Sequence, residues 1–270
     1  MIKKMKRFSK YFLLTLVSLI SIFPIFWMVV AATNRSVDVI GGKLTPGSYL
    51  LENYNTLISQ QPLWENFANS CKYTLAVTVC SLIISALAGY GFEIYKDRNK
   101  EKVYAVVLMT MMIPFVALMV PLFRMYSKLG LLNTVVGFML PSLATPLLIM
   151  MFRTNAKAFP PAIIEAARID GLSEFGIFLR MYIPSMKSVF AAAGVVTFMN
   201  SWNNFLWAKV IMSDTSTQTM PMMIANLTSG YKTDYGMLML AVLITTIPTA
   251  IVFFALQKNF VEVLQDLLSN

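Results

Sequence analysis

Histidine is absent from the chain, and cysteine occurs only at Cys71 and Cys80. An enzyme working inside a bilayer needs a nucleophile with its base, or a set of metal ligands, and a chain with no histidine and no carboxylate in its apolar runs offers neither. The two cysteines stand about half a rotation apart on a common helix, so they cannot bridge. Also missing is the phosphate-binding loop of glycines followed by lysine and a hydroxyl residue: Gly41-Gly42-Lys43 lacks the earlier glycine and the hydroxyl that should follow. Any ATP hydrolysis must therefore come from a partner, and no cofactor, catalytic residue or metal site is expected in this chain. Charge is scarce too. Asp, Glu, Lys and Arg make up 13% of the residues against 57% hydrophobic, with a mean hydropathy of +0.65. A chain of 270 residues this apolar is not a soluble domain; it is all-α and crosses a membrane several times. The net charge of +9 does not point to nucleic acid, because the basic residues lie between apolar runs rather than clustering on a solvated fold.

Six apolar runs are long enough to span, at about 11–32, 73–92, 103–123, 135–152, 188–208 and 237–257, and together they are expected to form one domain over residues 1–270. The first follows Lys3, Lys4, Lys6, Arg7 and Lys10 and exceeds the apolar core of a signal peptide, so an uncleaved helix kinked at Pro24 is expected. Thr33 to Lys72 reads as a loop. On the second run Ser81, Ser85 and Gly89 form a ridge of small residues suited to helix packing. Pro114 and Pro121 punctuate the third run, and Pro141 and Pro146 the fourth. In a six-span arrangement, 15 of the 22 Lys and Arg residues fall on the side of the two termini. The positive-inside bias then places both termini in the cytoplasm of a cell-membrane protein.

Between the fourth and fifth runs lies a polar island, residues 160–187, PPAIIEAARIDGLSEFGIFLRMYIPSMK. Pro160 and Pro161 suit the first turn of a helix, and Gly171 suits the left-handed position just past its end, so a helix is predicted over about Ala162 to Asp170. Ser173 offers an N-cap to a second helix, with Glu174 against its dipole and Phe175, Phe178, Leu179 and Tyr182 on one face. Pro184 stops that helix from continuing undisturbed. Ala166 and Ala167 would allow close approach of another protein.

The order Glu165-Ala166-Ala167, Asp170-Gly171, Ile183-Pro184 resembles the EAA loop of ATP-binding-cassette (ABC) importer permeases. Phe23 to Trp27, Glu52-Asn53-Tyr54, Phe67 to Ser70, Met112-Ile113-Pro114, Trp202 to Trp207 and Tyr231 to Leu238 extend the resemblance to the smaller permease of maltose-type carbohydrate importers. It implies a type I importer permease fold with a cytoplasmic coupling helix, in which Glu165, Ala166, Ala167, Asp170 and Gly171 seat on an ATPase subunit. It also implies the partners: a second permease subunit, two ATPases and an extracytoplasmic sugar-binding protein. The stretch from Ser213 to Gly236, with Pro221, Gly230 and Asp234, would meet that binding protein. Two departures stand out: Ser188 lies near the place of a second proline, and the tail Glu262 to Asn270 lacks the usual small-residue character.

The six runs contain no charged residue, whereas ion-coupled carriers usually show intramembrane charges, so a neutral cargo is favoured over a channel or secondary transporter acting alone. Asn200, Asn203, Asn204 and Trp207 fall at i, i+3, i+4, i+7, which on a continuous helix would present three amides and an indole on one face. Such a face pairs with sugar hydroxyls and stacks on sugar rings. Interhelical hydrogen bonds and an interfacial tryptophan account for the same residues, and charges from a partner subunit keep a glycerol-phosphate cargo open.

Overall fold

The computed structural model describes residues 2–230 and 233–269, and for 2–6 and 258–269 only the backbone. Tyr231, in one of the resembling stretches, and Asn270, at the end of the tail, lie outside the described residues. Among the described residues the regular elements are all helical. Fifteen α-helices can be numbered in order: α1 Ile2–Ala32, α2 Ser36–Ile40, α3 Leu50–Gln60, α4 Leu63–Ile94, α5 Arg98–Met109, α6 Phe115–Lys128, α7 Val135–Met139 and α8 Pro146–Ala156. They continue as α9 Pro161–Ile169, α10 Glu174–Ile177, α11 Ile183–Ser185, α12 Lys187–Trp202, α13 Phe205–Ile211, α14 Met220–Thr228 and α15 Tyr235–Ser269.

Three helices are long and apolar enough to cross a membrane unbroken, over Arg7–Ala32, Leu63–Ile94 and Tyr235–Gln257. Three further helix pairs are as apolar only when each pair is taken together, and each is bent at a short break: Arg98–Met112 with Phe115–Lys128 at 100°, Val135–Ser142 with Pro146–Ala156 at 52°, and Glu174–Ser185 with Lys187–Trp202 at 82°. The third expected span, 103–123, is thus not one rod. Pro114 has no N–H to give, and Ile113 before it is extended at φ −86°, ψ 116°, so the helix stops and restarts at Phe115. Pro146 likewise begins α8 as its first residue. Pro24, by contrast, lies within an uninterrupted α1.

The chain divides into two compact units, residues 1–65 with 222–247, and residues 66–221 with 248–270. In the first, the stretch after α1 is not the loop the sequence suggests but a folded cap containing α2 and α3. The reason is carbonyl satisfaction at a helix end. Asn34 Nδ2 donates to Val30 O and Thr45 O, both at 2.9 Å, and Asn53 Nδ2 donates to Ala32 O at 2.9 Å and Asn34 O at 3.0 Å. Gly236 packs so closely on Asn34 O and the Asn53 amide that a Cβ would collide with them.

The second unit holds the main apolar core, in which Tyr90, Phe152, Phe178 and Tyr182 are buried together. Ser81 and Ser85 are fully buried, and a Cβ on Gly89 would come within 2.7 Å of Arg153 N and Phe152 Cβ. The small-residue ridge therefore seats α8 against α4. Both helices outrun their predicted spans, and this brings in charge that 73–92 and 135–152 exclude. Arg153, 5% exposed, pairs with Glu93 at 3.1 Å and with Glu101, and lies 4.0 Å over the Tyr104 ring. The buried guanidinium is matched by carboxylates, which is the condition for tolerating it.

Candidate functional site

Three features of the second unit bring sequence-predicted residues together. The first is the island. Pro160 precedes α9, Pro161 is its first residue, and the helix ends at Ile169 with Asp170 as C-cap. Gly171 follows at φ +79°, with open space where a Cβ would stand. The left-handed backbone alone therefore asks for glycine. Ser173 caps α10 by accepting from Gly176 N at 3.2 Å. The two alanines of the pattern part company. Ala167 is 4% exposed in the unit's own core, while Ala166 faces outward with Glu165 and Ile169, the last 87% exposed. Close approach by another protein is open to Ala166, not to Ala167.

The predicted apolar face of the second helix is also split. Phe178 and Tyr182 are buried, but Phe175 and Leu179 are 61% and 45% exposed. A π-turn over Phe178–Tyr182 shifts the phase of the stripe just before Pro184, and the chain swings 82° into α12. Arg168 and Glu174 lock the two helices of the island through a 2.7 Å Nε–Oε1 pair, and Tyr95 donates its hydroxyl proton to the same carboxylate. Partial burial first, and then the carboxylate beside it, push the Tyr95 hydroxyl up to about 12. The hydrogen-bonded carboxylate holds the Arg168 guanidinium above its ordinary value. Glu165, Arg168, Lys157 and Glu93 line a recess of about 220 Å³ on this face.

The second feature is the asparagine-rich stretch, and here the single-face arrangement fails. α12 ends at Trp202; Asn203 is its C-cap, and Asn204 is the N-cap of α13, its Oδ1 accepting from Trp207 N at 3.2 Å. Trp207 is fully buried, its indole N–H donating to Phe138 O at 3.2 Å and its ring edge-on to Phe115 and Tyr126. It is a packing anchor, and no sugar reaches it here. Asn200 and Asn204 do meet, on the wall of a cavity of about 180 Å³ that they share with Ser142, Thr145, Thr197 and Ser201. Asn203 points elsewhere, its Nδ2 donating to Met199 O at 2.9 Å.

Third, the stretch after α13 is more ordered than a surface loop. Asn133, left-handed at φ 57°, accepts through Oδ1 from Ser213 N at 2.7 Å, Asp214 N at 3.1 Å and Thr217 Oγ1 at 3.2 Å. Asn69 Nδ2 donates to Ser216 O at 2.7 Å, and Ser70 Oγ accepts from Met220 N at 2.8 Å. Pro221 then lies in the first turn of α14, a helix rather than a loop tip, because Met220, Met222 and Met223 are all buried. In the other unit, Gly230 is exposed and Asp234 caps α15, accepting from Gly236 N at 3.0 Å and Met237 N at 3.2 Å. Sequence reasoning gave Asn69 and Asn133 no such role, because the groups they hold lie about 80 to 147 residues away.

The family described as "Binding-protein-dependent transport system inner membrane component" matches residues 1–264. The lactose transport system permease protein LacG of Rhizobium radiobacter is 42% identical over 94% of this chain and 93% of its own. The arabinooligosaccharides transport system permease protein AraQ of Bacillus subtilis is 32% identical, over 92% of this chain and 90% of its own. The sn-glycerol-3-phosphate transport system permease protein UgpE of Salmonella typhi is 30% identical, over 91% of each. Among solved structures, a chain of a bacterial ABC transporter involved in import of the acidic polysaccharide alginate superposes with a TM-score of 0.82 at 22% identity, over 95% of this chain and 97% of that one.

Proposed function

We infer the function from one premise: the chain belongs to the family of binding-protein-dependent transport system inner membrane components. On that premise we propose that it is a membrane permease subunit of an ATP-driven importer of a neutral sugar or oligosaccharide. It acts as one domain of six crossings, with both termini and the island in the cytoplasm of a cell-membrane protein. A second permease, two ATPase subunits that bind ATP and magnesium, and an extracytoplasmic binding protein complete the complex. The chain itself is not an enzyme.

The observation that carries this reading is the surface offered by α9 and Gly171. Glu165, Ala166 and Ile169 are exposed on a short helix whose other side, Ile164 and Ala167, is fixed in the core. A helix so anchored transmits a push on its outer face directly to α8 and α12. Closure of the ATPase pair on Glu165, Ala166, Asp170 and Gly171 then becomes a tilt of the crossings, and access alternates between the two sides of the membrane. Ala167 supports that helix from beneath. Pro221, Gly230 and Asp234 are proposed to meet the binding protein.

The 42%-identical lactose permease and the arabinooligosaccharide permeases favour a carbohydrate cargo. A second reading, a glycerol-phosphate cargo, comes from the 30%-identical UgpE. The cavity of Asn200 and Asn204 favours the first, since no lining residue is charged and a phosphate would lose its hydration there without a cation. The test is to copurify the tagged chain with its partners and measure ATP hydrolysis with binding protein loaded from a panel of ligands. Stimulation by a neutral sugar is expected; stimulation by glycerol 3-phosphate alone moves the assignment to the second reading.

A further inference from the structure

The end of α4 and the helix α9 are not packed solid against each other. Glu93 and Ile94 on one side and Glu165 and Arg168 on the other line the recess of about 220 Å³. A push on the outer face of α9 could be absorbed by closing that recess, with α4 left where it stands. Tyr95, the residue after α4 ends at Ile94, joins the two sides. Its hydroxyl donates to the Glu174 carboxylate on the island, and the same carboxylate accepts from Arg168 Nε at 2.7 Å and Nη2 at 3.2 Å.

The rest of Tyr95 is held from the α4 side. Its ring is edge-on to Tyr90 at 6.1 Å, and Tyr90 is buried at 4.8 Å from the Tyr182 ring. Its carbonyl accepts from Lys100 Nζ, which pairs at 2.7 Å with Asp97, the N-cap of α5. The residue thus stands between the hairpin that joins α4 to α5 and the island that carries α9. The side chains of the Arg168–Glu174 pair are 45% and 49% exposed, and exposed ion pairs add little to stability. The apolar contacts of Ile164 and Ala167 hold α9 to the core without fixing a direction, whereas a hydrogen bond has a preferred angle. The network of Tyr95, Glu174 and Arg168 therefore orients α9 more than it stabilises it.

We propose that Tyr95 is a positioning residue for coupling: its hydroxyl makes α4 and α5 follow a tilt of α9 instead of letting the recess absorb it. The inference rests on the reading of α9 as the ATPase seat. It deepens that reading by adding a route through the α4–α5 hairpin to the one through α8 and α12.

The test uses the whole complex reconstituted in liposomes with its binding protein. Labelled lactose, an arabinooligosaccharide and glycerol 3-phosphate are offered, and uptake of whichever the wild type carries is divided by the ATP hydrolysed over the same time. Tyr95→Phe deletes a single oxygen atom and keeps the ring against Tyr90. It is expected to leave ATPase co-elution and hydrolysis stimulated by loaded binding protein at wild-type levels. Uptake per ATP is expected to fall by about three- to tenfold, the worth of one hydrogen bond. Tyr95→Phe combined with Glu174→Ala should lose no more than Glu174→Ala alone, because both remove the same link. A wild-type ratio in Tyr95→Phe, or losses that multiply in the double variant, overturn the proposal and leave the seat on α9 intact. So does a parallel fall of uptake and hydrolysis, or loss of ATPase co-elution, since each marks a merely structural role. A complex that hydrolyses ATP but gives no ATPase adduct from a photo-crosslinker at Ile169 removes the seat, and the part of Tyr95 with it.

Discussion

The chain breaks its helices at Gly171 and at Asn203-Asn204, and the two breaks are encoded differently. At Gly171 the instructions are local: prolines open α9, a glycine takes the left-handed φ of +79°, and Ser173 caps the next helix. At Asn203-Asn204 they are not. Both residues adopt ordinary negative φ, and either would sit in a helix interior without a clash. What interrupts the helix there is tertiary: Trp207 is held by Phe138 O, Phe115 and Tyr126, and Asn133 accepts from the segment that follows α13. Residues whose backbone preference is strong announce a break in the sequence, whereas asparagine announces it only when the fold has already chosen.

If that contrast is right, the tertiary break should suffer most from loss of its anchor. Trp207→Ala empties a fully buried site and is expected to destabilise the chain by about 3–5 kcal/mol, seen as a lower Tm in detergent. A change below about 1 kcal/mol would mean that Asn203 and Asn204 suffice alone. Gly171→Val places a β-branched residue in a left-handed backbone, at a cost of about 1–2 kcal/mol or more, and should abolish uptake, while Gly171→Asn retains most of it. Equal activity in both would remove the local encoding of the first break. The caps should weigh alike in stability, Ser173→Ala and Asn204→Ala each costing about 0.5–2 kcal/mol by thermal unfolding. The smallest effect is one of pH. Asp97 caps α5, and the Lys100 ammonium first, then the backbone N–H groups it accepts from, hold its carboxyl below the usual carboxylate range. The folded value lies below the unfolded one, so this stabilisation is present above the unfolded value and is lost as pH falls through the folded one. Amide protection factors in the first turn of α5, taken relative to the intrinsic rate at each pH, should fall there, and more than in Asp97→Asn.

The same division governs how much could be read beforehand. The all-helical fold, the apolar runs and the ends of α9 were legible, because apolar length and Gly, Pro and Ser have strong local meanings. The cap of α2 and α3 was not, since Asn34 and Asn53 reveal their role only against carbonyls many residues away. Nor was the burial of Ala167, because the outer and inner sides of so short a helix are set by what packs beneath it. The bend in the third crossing was half legible: Pro114 was visible, its 100° consequence was not. At the cavity, Asn200 and Asn204 carried a signal, and Ser142 and Thr145 joined them only through the packing of α8 against α12.

The central claim, that α9 is the seat of the ATPase, is tested most directly by a photo-crosslinker placed at Ile169 in the assembled complex. Ile169 is 87% exposed next to Asp170 and Gly171, so the probe lies on the proposed contact. A probe at Ser216, on the segment held by Asn69 and Asn133, serves as the comparison. The account predicts an adduct with the ATPase subunit from Ile169 and none from Ser216. An ATPase adduct from Ser216, or none from Ile169 in a complex that still hydrolyses ATP, would contradict it.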